Sequence, residues 1–270
     1  MIAPKSAPDL RSPGESIWTR QSCENRVVCG RYGRRADKQR IAEWMRIHNA
    51  DVFDDSYLNS DYNVAPQTFQ PVVRLARDTG RRELAAMRWG LIPYWSKDDR
   101  IGYSTINARA EKIVTNPTFR EALKSRRCLV PADLFYEWQT INAKTKQAFG
   151  VGMKDGSLFA FAGLWESWKN KATGERLDTY TIITTDPNEL VKPDTGPALH
   201  DRMPVILDPK DFQRWLDPGD PSQPPVDLLR PYDAAKMKAW KVSARVGNVK
   251  NNDPDLCVEI EGESQRSLFS

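Results

Sequence analysis

SLFAFAGLW (residues 157–165) and DTYTIITT (178–185) are short runs of β-branched, aromatic and small apolar residues, and both read as strands. Working outward, PVVRLA (71–76), ELAAMRWG (83–90), RCLVP (127–131) and MPVIL (203–207) are runs of the same kind. Helix starts lie at Asn116-Pro117 ahead of TFREALKS and at Asp208-Pro209 ahead of KDFQRWL, each with a capping residue and a proline at the first helical position. From Ala36 to Asn49, Ile41, Trp44, Met45 and His48 recur at spacings of three and four, so this segment reads as an amphipathic helix. Strands and helices do not alternate regularly. The pattern therefore points to an α+β fold: a single domain with a curled, mostly antiparallel, barrel-like sheet and peripheral helices, rather than a parallel doubly wound sheet.

The ends differ from this middle. Residues 1–28 mix Pro, Ser, Gly and charge without an apolar period, which predicts a disordered leader. DPGDPSQPP (217–225) reads as a Pro-rich loop and residues 261–270 as a flexible tail, leaving 29–260 as the folded domain. The chain is 40% hydrophobic with nine Trp, nine Phe and eight Tyr, enough for one large core. Its 40 basic and 36 acidic residues nearly balance, so contact with nucleic acid must come from a local basic cleft.

Cys23, Cys29, Cys128 and Cys257 form no CxxC pair, and the two histidines, His48 and His200, do not join them at zinc-site spacing. Reduced thiols, no metal and no cofactor are expected. With no apolar run near ~18 residues and no apolar core of a signal peptide, the expectation is a cytoplasmic monomer without a membrane partner, nucleoid-associated if bacterial.

Four segments carry groups that active sites need: CGRY (29–32), NARAE (107–111), PADLFYEW (131–138) and ALHDRMPVIL (198–207). Cys29 stands before Gly30 and Arg31, where a guanidinium favours the thiolate; the alternative is a small buried apolar residue. Glu137 sits among Phe135, Tyr136 and Trp138, and an apolar surround would raise its pKa toward the range useful for acid–base work. Alternatively its side chain faces solvent while the aromatics face inward. His200 lies between a Pro/Gly-rich loop and a strand, as a functional group or as a hydrogen-bonded loop histidine. His48, on a helical stripe, reads as packed.

Asn107 and Arg109, two apart in a strand, face one way and suit a polar ligand and a phosphate; an Arg109–Glu111 salt bridge is the plainer reading. WGLIPYW (89–95) and YNVAP (62–66) offer stacking faces for unpaired bases, with Trp95 and Pro66 the exposed candidates.

Taken in order, CGRY, YNVAP, RWGLIPYW, INARAE, RRCLVPADLFYEW, LHDRMPVIL and VSARVGNVKNNDP (242–254) resemble the blocks of the SOS-response-associated peptidase (SRAP) family, over roughly residues 29 to 258. The resemblance implies one α+β domain with a positive cleft for single-stranded DNA containing abasic sites. It implies a catalytic set of Cys29, Asn107, Glu137 and His200, and phosphate contacts from Arg31 and Arg109; Asn63, Pro66 and Trp95 are the further DNA-binding candidates. It further implies a thiazolidine bond between an amino-terminal cysteine and the aldehyde of an opened abasic sugar, with self-processing and lyase side activities.

As written, Cys29 is internal and has no free amine. Either residues 1–28 are removed by self-cleavage, or translation starts at the codon of Val28 and methionine removal exposes Cys29; the second is favoured, because the leader contributes no family block. Two other functions remain open: an amino-terminal-nucleophile cysteine amidase or peptidase, and a non-covalent single-stranded DNA-binding module. Finally, Gln265-Arg-Ser-Leu268-Phe269 is similar to short peptides that dock on the replication sliding clamp, so that clamp is a further candidate partner.

Overall fold

A computed structural model describes residues 30–57 and 59–260. Along the chain, β1 (Tyr32–Arg34) is followed by α1 (Lys38–Met45), β2 (Asp61–Val64), β3 (Phe69–Leu75), β4 (Arg82–Trp89) and β5 (Asn107–Arg109). Then come α2 (Arg120–Ser125), β6 (Arg127–Ala132), β7 (Leu134–Asn142), β8 (Thr145–Met153), β9 (Phe159–Lys169) and β10 (Arg176–Thr185). The two-residue strands β11 (Met203–Pro204) and β12 (Ile206–Leu207), α3 (Phe212–Leu216) and β13 (Met237–Lys241) complete the order.

Five strands close on themselves: β10 pairs with β4, β4 with β3, β3 with β6, β6 with β9, and β9 returns to β10. Only the β10–β4 contact in this ring is parallel. The expected curled, mostly antiparallel sheet is thus a small barrel. Where β9 and β10 diverge, Val205 bridges them, donating to the Ile183 carbonyl at 2.8 Å and accepting from the Ala162 amide at 2.9 Å. A second, antiparallel sheet has the order β13–β8–β7–β1–β2.

Alternate residues of the barrel strands serve two cores, as the two-residue period of a strand requires. Val73, Leu129, Ala162, Leu164 and Ile183 pack with Ile41 and Met45 of α1, Leu123 of α2 and Trp215 of α3. Val72, Met87, Val130, Phe161 and Tyr180 pack with Tyr32, Phe135 and Val151 of the second sheet. At the seam the Tyr32 and Tyr180 hydroxyls are 2.9 Å apart. The Tyr32 ring meets Trp89 and Phe161 edge-on at 5.3 and 5.7 Å.

The predicted strands are all present, and the helices are shorter than expected. The segment 36–49 ends its helix at Met45 because Arg46 takes a left-handed conformation at φ 54° and caps it, so His48 lies beyond the helix with its Nδ1 2.5 Å from the Arg82 carbonyl. Asn116 accepts from the Thr118 amide at 2.9 Å and starts a turn, the helix following only at Arg120. Asp208 likewise caps a 3₁₀ turn that precedes α3.

Gly163 marks a tight strand contact inside the barrel. A Cβ on it would lie 2.9 Å from the Cys128 Sγ and 3.0 Å from the Thr181 carbonyl oxygen. Gly163→Ala is expected to cost about 1–3 kcal/mol through overpacking. It should lower the urea midpoint without changing the slope, whereas Gly247→Ala, which enters open space, leaves the midpoint near that of the parent.

Candidate functional site

Two of the sequence blocks, NARAE and ALHDRMPVIL, meet at the C-terminal end of β10. On one edge, Asn107, Ala108 and Arg109 pair in parallel with Ile182, Ile183 and Thr184; on the other, Pro204 and Met203 pair with Thr184 and Thr185. Strand alternation buries Ala108 and turns Asn107 and Arg109 the other way, Asn107 half-buried and Arg109 exposed. Both line a surface concavity of about 230 Å³ with Thr105, Lys112 and Asn116.

The Arg109–Glu111 salt bridge considered from the sequence is not formed. Glu111 instead accepts two hydrogen bonds from the Arg202 guanidinium, at 2.9 and 2.8 Å, and among the described residues Arg109 makes no ion pair. Arg202 also donates to the Thr184 carbonyl at 2.8 Å, so it spans the end of β10 from one flank to the other. Burial raises the Glu111 carboxyl, but its own backbone amide and the Arg202 guanidinium outweigh this, and the net shift is downward.

His200 is half-buried, and its Nδ1 accepts from the Arg202 backbone amide at 3.2 Å. A lone pair at Nδ1 puts the proton of the neutral ring on Nε2. The His200 pKa is lowered, first by burial; Arg202 and Lys146 push the same way and Asp201 opposes them. Asp201 is itself held by Lys192 at 2.8 Å.

Glu137 comes from the second sheet. It is 3% exposed, between the fully buried Tyr136 and the half-buried Trp138, so the solvent-facing alternative does not hold: both faces of β7 are covered there. Two residues on, Gln139 donates to the Pro197 carbonyl at 3.1 Å, tying the strand of Glu137 to the loop of His200. Sequence reasoning did not single out Gln139 or Arg202. The only signal was position: each lies two residues from a candidate, on the same strand or turn.

Arg31 and Asn63 join β1 and β2 to the 242–254 segment. Arg31 donates to the Asn63 side-chain oxygen at 2.7 Å and to the Val246 carbonyl at 2.8 Å. The Asn63 amide donates to the carbonyls of Val246, Asn248 and Asn251 at 3.2, 3.1 and 2.9 Å. At 4% exposure Asn63 anchors this loop through its side-chain amide.

The aromatic loop is held by Gln67, a non-glycine residue at φ 70° whose Nε2 donates to the Trp89 and Gly102 carbonyls at 3.2 and 3.0 Å. Gly90, at φ 125°, is required here, because a Cβ would overlap the Gly102 carbonyl. So anchored, the loop leaves Trp95 47% exposed and Pro66 half-buried. Among the described residues no three His, Cys, Asp or Glu side chains group to hold a metal ion, and no helix is long and apolar enough to cross a membrane. Cys29 and the tail residues Gln265, Leu268 and Phe269 lie outside the described residues.

Residues 28–249 match the family described as SOS response associated peptidase (SRAP). The abasic site processing protein YoqW of Bacillus subtilis is 44% identical over 230 residues, which cover 85% of this chain and 98% of that protein. The abasic site processing protein HMCES of Xenopus tropicalis is 32% identical over 253 residues, covering 83% of this chain and 72% of that protein. A crystal structure of a protein from Bacteroides thetaiotaomicron superposes with a TM-score of 0.74 at 29% identity, over 86% of this chain and 100% of that one. Agreement in sequence over this length, and in the fold that carries it, places the chain in the SRAP family.

Proposed function

We propose that this chain processes abasic sites in single-stranded DNA by bonding to them through Cys29. One observation carries the reading. Tyr32 and Gly33 pair with Phe135 and Leu134, and the Tyr136 amide donates to the Arg31 carbonyl at 3.0 Å, so continuing this register brings Gly30, the residue after Cys29, to Glu137. The same strand, through Tyr32, touches Tyr180 of β10, two residues before the partner of Asn107. This register supports a reading in which a nucleophile ahead of Gly30 works with the buried Glu137 carboxyl, the Asn107 amide and the half-buried His200 imidazole.

The chemistry needs them together. An opened abasic sugar presents an aldehyde at C1′. The α-amine of an amino-terminal cysteine, with an unperturbed pKa of roughly 7.7–8.0, keeps a neutral fraction at physiological pH and attacks that carbon. Loss of water gives an imine; the thiolate then adds to C1′, the nitrogen takes a proton, and a five-membered thiazolidine closes. Glu137 and His200 move protons between sugar oxygen, nitrogen and sulfur, and Asn107 holds the amine or a sugar oxygen in line. Arg31 and Arg109 serve the phosphates, while Trp95 and Pro66 serve the unpaired bases.

Because an amide nitrogen cannot form the imine, the active species begins at Cys29, exposed by self-cleavage or by initiation at position 28, where the family match also opens. Elimination through the imine would give a lyase side reaction. In the same reading the protein acts as a monomer in the cytoplasm, and its tail, through Gln265, Leu268 and Phe269, docks on the replication clamp.

Cys29→Ala should abolish the band that persists on a denaturing gel with an abasic single-stranded oligonucleotide, while salt-sensitive binding continues; full crosslinking by this variant would refute the nucleophile assignment. Arg109→Ala should weaken binding to every sequence and flatten the log–log salt slope by about 0.7, one phosphate contact on a single strand. The lowered His200 pKa sets a third expectation. Between the folded value and about 6.5 the unfolded chain holds a proton that the folded one does not, so stability falls as pH drops through that window. Urea midpoints at about pH 7.5 and about pH 5.5 should therefore diverge more in the parent than in His200→Gln.

A further inference from the structure

We infer that Glu111 and Arg202 are positioning residues that hold His200 as the tautomer with its proton on Nε2. The Arg202 backbone amide donates to the His200 Nδ1, and that amide is placed by its own side chain. The guanidinium bonds both Glu111 carboxylate oxygens and the Thr184 carbonyl, with its Nε 3.4 Å from the Thr184 hydroxyl. Its side chain is 12% exposed. A planar fork fixed at one end by a strand carbonyl and at the other by a two-pronged carboxylate has little freedom to rotate, so the backbone it grows from is fixed as well.

The consequence falls on the ring. With Nδ1 occupied by a donor, Nε2–H is the ring nitrogen left to serve substrate, and His200 begins the reaction as a hydrogen-bond donor. Protonating Nδ1 would set its hydrogen against the Arg202 amide. The charged groups around the ring are Asp201, Arg202 and Lys146, with Asp201 held by Lys192. None of these supplies Nδ1 with an acceptor in place of the amide.

A purely electrostatic role for Glu111 makes the opposite forecast to a positioning role. Glu111 is an exposed carboxylate on the face that carries Arg109, so its neutralisation should tighten DNA binding and, if anything, speed the reaction. Loss of positioning should slow the reaction although binding is undiminished.

The inference rests on the reading of His200 as a proton carrier, and the test keeps the two apart. The chain has only two histidines, so the ring nitrogens of ¹⁵N-labelled protein can be assigned in the parent, Glu111→Gln and His200→Gln without any DNA. In the parent at about pH 7.5, the His200 Nδ1 should give the signal of an unprotonated acceptor. In Glu111→Gln the Nδ1 and Nε2 signals should move toward each other as both tautomers become populated. The crosslinking rate should fall roughly 10-fold, inside the ~100-fold that a 1 Å misplacement can cost, with affinity for intact single-stranded DNA equal or higher. Unchanged ring signals in Glu111→Gln would overturn the inference, as would changed signals with an unchanged rate. Should Glu111→Gln fold poorly, Arg202→Lys, which keeps the cation and loses the fork, is read by the same two measurements. A parent protein that forms no crosslink would refute the proposed function, leaving the ring signals to decide the tautomer alone.

Discussion

Strand β10 is bonded along both edges, and the rest of the molecule is arranged by that fact. Its first half closes the barrel between β4 and β9. Its second half takes β5 on one edge and β11 on the other. Both neighbours are too short to be stable as isolated strands, so they exist because β10 offers them paired backbone. The candidate amide and the turn that carries the candidate histidine thus stand at opposite flanks of one strand end, and the Tyr32–Tyr180 contact joins the second sheet, which carries Glu137, to that strand.

The same arrangement sorts the charges. Arg202 is spent within the protein, on Glu111 and Thr184, whereas Arg109 and Lys112 face the concavity beside Asn107. A cleft that is positive only locally accords with a chain of nearly balanced charge. His200, lowered by burial and by cations, stays neutral at physiological pH, the form in which one nitrogen accepts while the other donates.

The barrel strands were legible because apolar runs such as SLFAFAGLW leave little doubt about their type, and the absence of regular alternation with helices excluded a parallel fold. The hairpin of β7 and β8 was not: its outer half, Thr140 to Lys146, is polar and exposed and reads as loop. The burial of Glu137 could not be decided locally, since Phe135, Tyr136 and Trp138 occupy both faces of the strand. The loop-anchoring role of Asn63 and the ion-pair partner of Glu111 were not legible for one reason. Their partners lie 183 to 188 and 91 residues away, and short-range spacing carries no information about contacts of that separation. The individual roles in the site came from the family pattern, with Cys29, Asn107, Glu137 and His200 each weak alone.

A closed barrel has no edge strands of its own, so the open edges of the larger strands belong to the second sheet, at β2 and β13. At β2 the Tyr62 amide is taken by the Asn252 side-chain oxygen at 2.7 Å, part of the loop that Asn63 anchors. At β13 the exposed lysines Lys238 and Lys241 flank Trp240, and like charges discourage a second copy from adding a strand. The loop that Asn63 fastens is therefore also a guard against aggregation: a chain that loses it exposes a free strand edge beside the β1 strand that leads from Cys29.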